Sequence, residues 1–431
     1  MPTAIRHIEL ADGISDIHLE EKYSRFMAFI TYHGVPLGDM IIKVRRHTID
    51  SSYLAREIAN HFPYDTLRLW LQDQMKYRRS RIETNHLSID VIVCTCDRPD
   101  DLKRCLQSLA ETSYPQKSII VVDNGSESEK TLEVVQEYGA RYVREKKKGL
   151  DFARNAGLKF ADAEIVAYTD DDVVVDGMWL QSIAKVFQDD EAIACVTGLI
   201  MPLELETEAQ ELFEKYFEGG MRRGYERRVF SRFNLPPAAG GKVGSGANMA
   251  FRSSVLRRVG GFDEALDCGT PAKAGGDTDM YYRLLRHGYK ICYEPSALAW
   301  HRHRREMSEL QNQLNGYSIA VYAFLTKCAV EYTDWEAVGI GCLWFRNHHL
   351  KQIARQIRCK AIMPWSLTWA EIAGVPRGPA AYFKAKSYVS DIRLQCDEER
   401  RHPQNRNGGK HTRNIMAILR RAAGGVKRRH A

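Results

Sequence analysis

From Ser88 onward the chain alternates unbroken apolar runs with segments whose apolar residues recur every three or four positions. Ile89-Asp90-Val91-Ile92-Val93-Cys94-Thr95 reads as a strand buried on both faces of a sheet. Pro99 suits a first helical turn, and Leu102, Cys105, Leu106 and Leu109 then fall on one helix face at i, i+3, i+4 and i+7. Ser118 to Val122 predicts a second strand, a helix through Leu132 and Val135 follows, and Arg141 to Val143 predicts a third. Gly149 to Leu158 opens another helix ahead of a strand at Glu164 to Tyr168. Such alternation argues for an α/β fold, a mainly parallel sheet flanked by helices.

The flanks are patterned differently. Phe26 to Tyr32, His33 to Gly38 and Asp39 to Val44 read as strand, turn and strand. A helical stretch with Leu54, Ile58 and His61 on one side comes next, then Leu67, Leu69, Trp70 and Leu71 after Pro63. From Glu306 to about Arg393 the period is helical again, with Leu310, Leu314, Ile319, Tyr322 and Leu325 spaced for a buried face. Its aromatic clusters, Tyr322 to Leu325 and Cys342 to Phe345, suit core packing, with a lipid-facing patch as the rival. The chain thus divides into a small N-terminal α+β accessory domain (1–88), the α/β domain (89–310), a helical C-terminal extension (311–395) and a basic tail (396–431).

Composition narrows the class of protein only slightly. Hydrophobic residues make up 44% and charged residues 27%, ordinary for a soluble globular chain. A net charge of +7 fits an anionic ligand, a membrane surface or nucleic acid equally well. Lys76-Tyr77-Arg78-Arg79-Ser80-Arg81 looks like a basic linker, and the tail, with Arg400-Arg401, Arg420-Arg421 and Lys427-Arg428-Arg429 among Gly and Asn, has the composition of a disordered segment. An anionic membrane would attract that tail by roughly 1 kcal/mol per basic residue near the lipid. The ten cysteines form no disulfide framework, and Cys94-Thr95-Cys96 has no second pair at zinc-finger spacing, which points to a reducing compartment. Met1 to His7 lacks the apolar core of a signal peptide, and no apolar run reaches the roughly 20 residues that span a bilayer. The expectation is a cytoplasmic protein, at most peripheral at the inner face of a membrane.

Chemistry concentrates where the strand at Glu164 to Tyr168 ends. Thr169-Asp170-Asp171-Asp172 places three carboxylates where ligands of open α/β sheets bind, outside the carboxyl ends of the strands. On an extended chain Asp170 and Asp172 share a face, and two hard oxygen ligands can hold Mg²⁺ or Mn²⁺ with positions left for phosphate oxygens. An N-cap cluster is the rival, since Asp favours helix starts. Gly244-Ser245-Gly246-Ala247-Asn248-Met249 lacks the third glycine of a dinucleotide fingerprint, and no G-x-x-x-x-G-K-[ST] occurs, so both of those readings fail.

Four pieces, in order, resemble glycosyltransferase family 2 with its GT-A fold: Val93 to Pro99, Val121 to Ser126, Ala153 to Gly157, and Thr169 to Asp172. Gly275-Gly276-Asp277-Thr278-Asp279-Met280 follows as a fifth, with Tyr293-Glu294-Pro295 and His301-Arg302-His303 behind it. The resemblance covers about 88 to 310 and implies a non-processive, inverting, bacterial-type member. It implies that Thr95, Asp97 and Asp123 line the base pocket of a nucleoside-diphosphate sugar, that Arg154 contacts base or phosphate, and that Asp171 orients the donor sugar or supports the loop. It further implies that Asp170 and Asp172 bind Mn²⁺ or Mg²⁺, with His301 as a candidate third ligand and a structural histidine as its rival. Asp277 matches the carboxylate that acts as general base, although many relatives carry Glu-Asp where this chain has Gly276-Asp277; Asp279 is the fallback. The bland alternatives are an Asx-turn at Asp123, a surface charge at Arg154 and a helix cap at Asp277 before the helix Met280 to His287.

The glycine-rich stretch Pro236 to Asn248 would border donor sugar and acceptor, and acceptor choice would lie in the amphipathic helix Glu204 to Phe217 and the basic loop Met221 to Arg232. The processive relatives' Q-x-x-R-W signature is absent, which favours single-sugar transfer to a saccharide, lipid-linked or small-molecule acceptor. No nucleic acid is expected as partner. The rivals are a nucleotidyltransferase on sugar phosphates and a non-catalytic nucleic-acid- or membrane-binding protein that uses the basic tail.

Overall fold

The computed structural model describes residues 2–44, 47–74, 87–216, 221–358 and 360–401. Met1–Lys386 makes one compact unit and Ser387–Ala431 another. The N-terminal residues form β1 (Thr3–Glu9), β2 (Ile17–His18), β3 (Arg25–Tyr32), β4 (Val35–Lys43), β5 (Thr48–Ile49), α1 (Ser51–His61) and α2 (Pro63–Gln74). The expected hairpin is β3–β4, and β1 adds a parallel third strand beside β3. In α1, Leu54 and Ile58 are buried, as expected, but His61 is exposed and Phe62 takes the inner position. Leu67, Trp70 and Leu71 of α2 also stay exposed, because α2 has no partner on that face among the described residues.

The α/β core follows as β6 (Ile89–Thr95), α3 (Pro99–Glu111), β7 (Lys117–Asp123), α4 (Lys130–Glu137), β8 (Arg141–Arg144), α5 (Leu150–Leu158), β9 (Ile165–Asp170), β10 (Val173–Val175) and α6 (Trp179–Asp189). It continues with β11 (Ile193–Pro202), α7 (Glu208–Tyr216), β12 (Arg228–Phe230), β13 (Asn248–Arg252), α8 (Ser253–Val259), α9 (Gly276–Arg286) and β14 (Lys290–His301). These strands make a nine-stranded sheet in the order β10-β14-β11-β13-β9-β6-β7-β8, with β12 also on β14. The β9-β6-β7-β8 half is parallel, β11 and β14 are parallel, and β13 runs antiparallel between β9 and β11.

Both faces of the sheet are covered. Leu102, Cys105, Leu106 and Leu109 of α3 are fully buried, with Trp179 and Ile183 of α6, against one face. Ala153 of α5, Leu256 of α8, and Met280 and Leu284 of α9 cover the other. At about 1.5–3 kcal/mol for each large side chain buried, these two layers supply the main apolar stabilisation. The N-terminal sheet joins through Met27 and Phe29, which pack with Leu199, Met201 and Tyr293. Arg222 bolts the junction, 2.6 Å from Asp39 and 2.9 Å from Glu214. That arginine lies in the basic loop expected to choose acceptors, and the fold spends it on an internal ion pair.

The C-terminal helices are α10 (Met307–Tyr332), α11 (Glu336–Trp344), a π-helical segment Phe345–Leu350, α12 (Lys351–Ile357), α13 (Trp365–Ile372) and α14 (Arg377–Arg401). α10 begins with a capping box, Glu306 with Glu309, and buries Leu310, Leu314, Ile319 and Leu325, while Tyr322 is only partly covered. α14 runs past the boundary drawn at 395; the rest of the basic tail, and the linker Lys76 to Arg81, lie outside the described residues. No described helix is long and apolar enough to cross a membrane.

Candidate active site

Register alone lines up three of the expected residues. Thr95 pairs with Asp123 across β6–β7, and Cys94 with Asp170 across β6–β9, so all three strands end at one edge. The chain turns at Asp171 and Asp172 instead of continuing extended, which spreads the aspartates around the edge. Pairing of Val173 with His301 then brings the end of β14 to the same place.

Thr95 Oγ1 donates to Asp171 Oδ2 at 2.7 Å, and Asp171 is buried. Arg98 Nη1 reaches Asp171 Oδ1 at 3.4 Å and Asp172 Oδ2 at 3.2 Å. His301 Nε2 stands 3.4 Å from Asp172 Oδ1, and Arg154 Nη2 is 3.7 Å from Asp170 Oδ1. Burial, opposed by Arg154 and reinforced by Asp172 and Asp277, pushes the Asp170 carboxyl up to about 6. Burial and then Asp172 push Asp171 up to about 7. Burial takes His301 down to about 4 against the pull of Asp172, so its imidazole is neutral at neutral pH.

Crowded carboxylates of this kind favour a cation, which removes their mutual repulsion. Asp170 and Asp172 could share a hard divalent ion, and the neutral His301 imidazole stands 3.4 Å from Asp172. Among the described residues, the one set of three His, Cys, Asp or Glu ligand atoms all within 4.8 Å of one another lies elsewhere, in the C-terminal helices. The aspartates thus offer few protein ligands, as Mg²⁺-type sites that share their ion with phosphates do.

Arg154 is no surface charge. Its side chain is 6% exposed and lies between Asp151 Oδ1 at 3.1 Å, the Gly246 carbonyl at 3.4 Å and the Phe262 ring at 5.3 Å. Burial lowers its pKa, but Asp151, Asp170 and Asp277 outweigh it and raise the net value. Asp151 carries a signal that the sequence reading passed over. Its carboxylate is buried, its Oδ2 has no hydrogen-bond partner among the described residues, and burial followed by Asp267 holds its pKa well above normal.

Asp277 sits in the first turn of α9, which begins at Gly276 and so earlier than Met280. It is not the cap. Its Oδ2 accepts from the Gly246 N–H at 2.7 Å and its Oδ1 from the Thr278 N–H at 2.7 Å. Gly246 permits this approach, since a Cβ there would lie 2.7 Å from Arg154 and 3.2 Å from Asp277 Oδ2. Asp279 is fully buried, 2.8 Å from Arg283 Nε and 2.6 Å from Lys327 Nζ, which leaves it no path to an acceptor.

Asp123 and Asp97 lie further along the edge. Asp123 Oδ1 accepts from the Ser126 N–H at 2.8 Å, the turn bond expected of Asp, and Oδ2 accepts from Tyr142 at 2.5 Å. Burial pushes Asp123 up, but Tyr142, Ser126 and Arg144 outweigh it and hold the carboxyl below its usual value. Asp97 adopts a left-handed backbone (φ 54°) and accepts from the Glu127 N–H at 2.8 Å. His303 is a structural histidine, buried beside Phe213 and 2.7 Å from Glu214. Beside Asp172 opens a cleft of about 390 Å³ whose wall carries Arg98, Arg302, Arg304 and Arg305 together with the acids Asp101, Glu306 and Glu309. Arg98 and Arg302 stand inside the motifs of the sequence, but nothing in the spacing marks them as lining one cavity with Arg304 and Arg305.

The family model described as Glycosyl transferase family 2 matches residues 90–260. A pre-mycofactocin glycosyltransferase of Mycobacterium tuberculosis is 29% identical over 260 residues, 59% of this chain and 51% of that protein. A glucosyl-dolichyl phosphate glucuronosyltransferase of Haloferax volcanii is 24% identical over 238 residues, 50% of this chain and 72% of that protein. The chain thus spans about half the length of the first of these relatives. Among solved structures, a mannosyltransferase of Pyrobaculum calidifontis, in complex with GDP-Man and Mn²⁺, is 16% identical with a TM-score of 0.42, over 85% of this chain and 90% of that one.

Proposed function

Residues 90–260 belong to glycosyl transferase family 2, and from there we propose that the chain is a metal-dependent, inverting glycosyltransferase. It moves one sugar from a nucleoside-diphosphate sugar to a hydroxyl of a saccharide, lipid-linked or small-molecule acceptor. The observation that carries this reading is the convergence of Asp170 and Asp172 with Arg98, Arg154 and His301 at one sheet edge, and of Asp277 beside Arg154 through Gly246.

Asp170 and Asp172, with His301, would hold Mn²⁺ or Mg²⁺, which when bound would neutralise charge on the diphosphate. Arg98 leaves the two aspartates it bridges and meets the phosphates beside Arg304 of the cleft. Thr95, Asp97 and Asp123 border the base, and Asp171, fixed by Thr95, supports the donor side. Asp277 takes the acceptor hydroxyl proton as the new C–O bond forms at the anomeric carbon. The bond to the diphosphate oxygen breaks on the opposite side, and nucleoside diphosphate leaves. In a nucleotidyltransferase, which makes pyrophosphate instead, Asp277 would have no acceptor hydroxyl to deprotonate.

Thermal stability against UDP, GDP, dTDP and CMP, each with and without Mn²⁺, tests the reading. One nucleotide at about 100 times its Kd should stabilise by roughly 2.7 kcal/mol, and only with metal. Asp172→Ala should lose that shift. Asp277→Asn should keep it while transfer falls about 10²–10⁴-fold. A metal-independent shift, or full transfer by Asp277→Asn, overturns the assignment.

A further inference from the structure

Away from the sheet edge, the C-terminal helices bury a second group of metal-ligating side chains. His348 and His349 are consecutive residues of the π-helical segment Phe345–Leu350, and Glu371 faces them from α13. His348 Nε2 is 2.7 Å from Glu371 Oε1 and 2.6 Å from the Tyr216 hydroxyl at the end of α7. His349 Nδ1 is 4.0 Å from the same Glu371 oxygen. The wider π turn rotates consecutive residues less than an α turn does, so both imidazoles approach one carboxylate; π segments often occur at functional sites.

His349 supplies the independent sign that something is meant to bind. It is 0% exposed, yet neither ring nitrogen has a hydrogen-bond partner among the described residues. A buried polar atom left without a partner is destabilising, and an imidazole enclosed by Trp344, Phe345 and Tyr322 has no solvent to fall back on. Glu371, itself 5% exposed, brings a negative charge to the same spot.

We propose that His348, His349 and Glu371 form a second metal site, which takes a borderline divalent ion of the Zn²⁺ class and pins α13 to the π segment. Two imidazoles and one carboxylate match the ligand preference of Zn²⁺, with Tyr216 or water completing four-coordination. Bonds of about 2.0–2.1 Å place ligand atoms about 3.4 Å apart, and the ligand atoms here already lie within 4.8 Å of one another. A side-chain shift of about an ångström closes the site. The aspartate edge offers mainly hard carboxylate oxygens, so the two sites sort metals by ligand type.

The test uses the full chain, stripped with a chelator and then given metal with excess Mg²⁺ present. Competition against a chromogenic Zn²⁺ chelator should show one tight Zn²⁺ per chain, and one equivalent of Co²⁺ should give the visible absorption of a four-coordinate ion. Both signals should survive Asp172→Asn, and both should be lost in His349→Gln and in Glu371→Gln. If either of those variants fails to fold, the unmodified chain still decides. No tight Zn²⁺ in the competition assay overturns the proposal, as does Co²⁺ absorption that vanishes with Asp172→Asn.

Discussion

A methyl group at residue 276 would sit 1.8 Å from Asp151 Oδ2 and 2.5 Å from its Cγ, so the Asp151 carboxylate occupies the space of a side chain there. Glycine at 276 is therefore explained by packing: the buried acid of α5 fills the place a side chain would take. Gly276→Ala should push the first turn of α9 away and carry Asp277 with it. A displacement near 1 Å is enough to lower transfer about 10²-fold. Combining Gly276→Ala with Asp151→Ala should recover melting temperature relative to Gly276→Ala alone, a coupling that a double-mutant cycle reads directly. Additive losses would mean the two positions do not share that space. Asp170 gives a second prediction, in pH. Its folded pKa of about 6 lies above its ordinary 3.8, so its contribution to stability is present below the ordinary value and lost as pH rises through about 6. In metal-free protein, Asp170→Asn should gain about 1–2 kcal/mol over wild type between roughly pH 4 and 7. Urea unfolding at both pH values checks it, and an unchanged difference would remove the charge crowding from the account.

At the scale of elements, α9 and α10 are joined by buried charge. Lys327, 4% exposed, lies 2.6 Å from Asp263 and 2.6 Å from Asp279, which also holds Arg283. The contact with Asp279 is an ion pair without hydrogen-bond alignment. Lys327→Met leaves the fully buried Asp279 carboxylate undercompensated, and breaking a buried pair this way costs about 3–5 kcal/mol. Adding Asp279→Asn should return much of that stability in a denaturant melt; no recovery would refute the pairing as cause. Nothing in the spacing of Asp279 and Lys327 announces their pairing, because it is made by packing between helices. The strands β6, β7 and β9, by contrast, were legible, since unbroken apolar runs with polar ends have few other uses in a chain of this length. The register that sets Thr95 beside Asp123 follows from them. α9 starts earlier than its spacing predicts, because Gly275-Gly276 reads as a breaker while Asp151 accounts for the glycine at 276. β1 was missed because only Ala4 and Ile8 of its apolar residues are fully covered.

At the scale of the whole molecule, a run of exposed apolar side chains lies near α12 and α13 among the described residues. Ile357, Ile362, Trp365 and Trp369 are 70%, 64%, 42% and 57% exposed, and the two tryptophans stack at 6.1 Å. Arg346, Lys351, Arg355 and Lys360, close to them in sequence, are exposed, while the acid of α13, Glu371, is buried. Tryptophan with aliphatic residues beside basic ones is the composition of a face lying in the headgroup region of an anionic bilayer. A lipid-linked acceptor would be presented on such a surface, although no described helix crosses it. Each basic residue near anionic lipid adds about 1 kcal/mol, and a Debye length near 10 Å at 0.1 M salt screens the more distant ones. The full chain should therefore float with vesicles containing phosphatidylserine and stay behind with neutral ones. Trp365→Ser with Trp369→Ser should weaken binding to the anionic vesicles at every salt concentration, because it removes the apolar contact. Lys351→Gln with Lys360→Gln should weaken it at low salt and matter little at high salt. If the tryptophan pair makes no difference at any salt, the apolar face is not what meets the lipid, and attraction through the basic tail becomes sufficient.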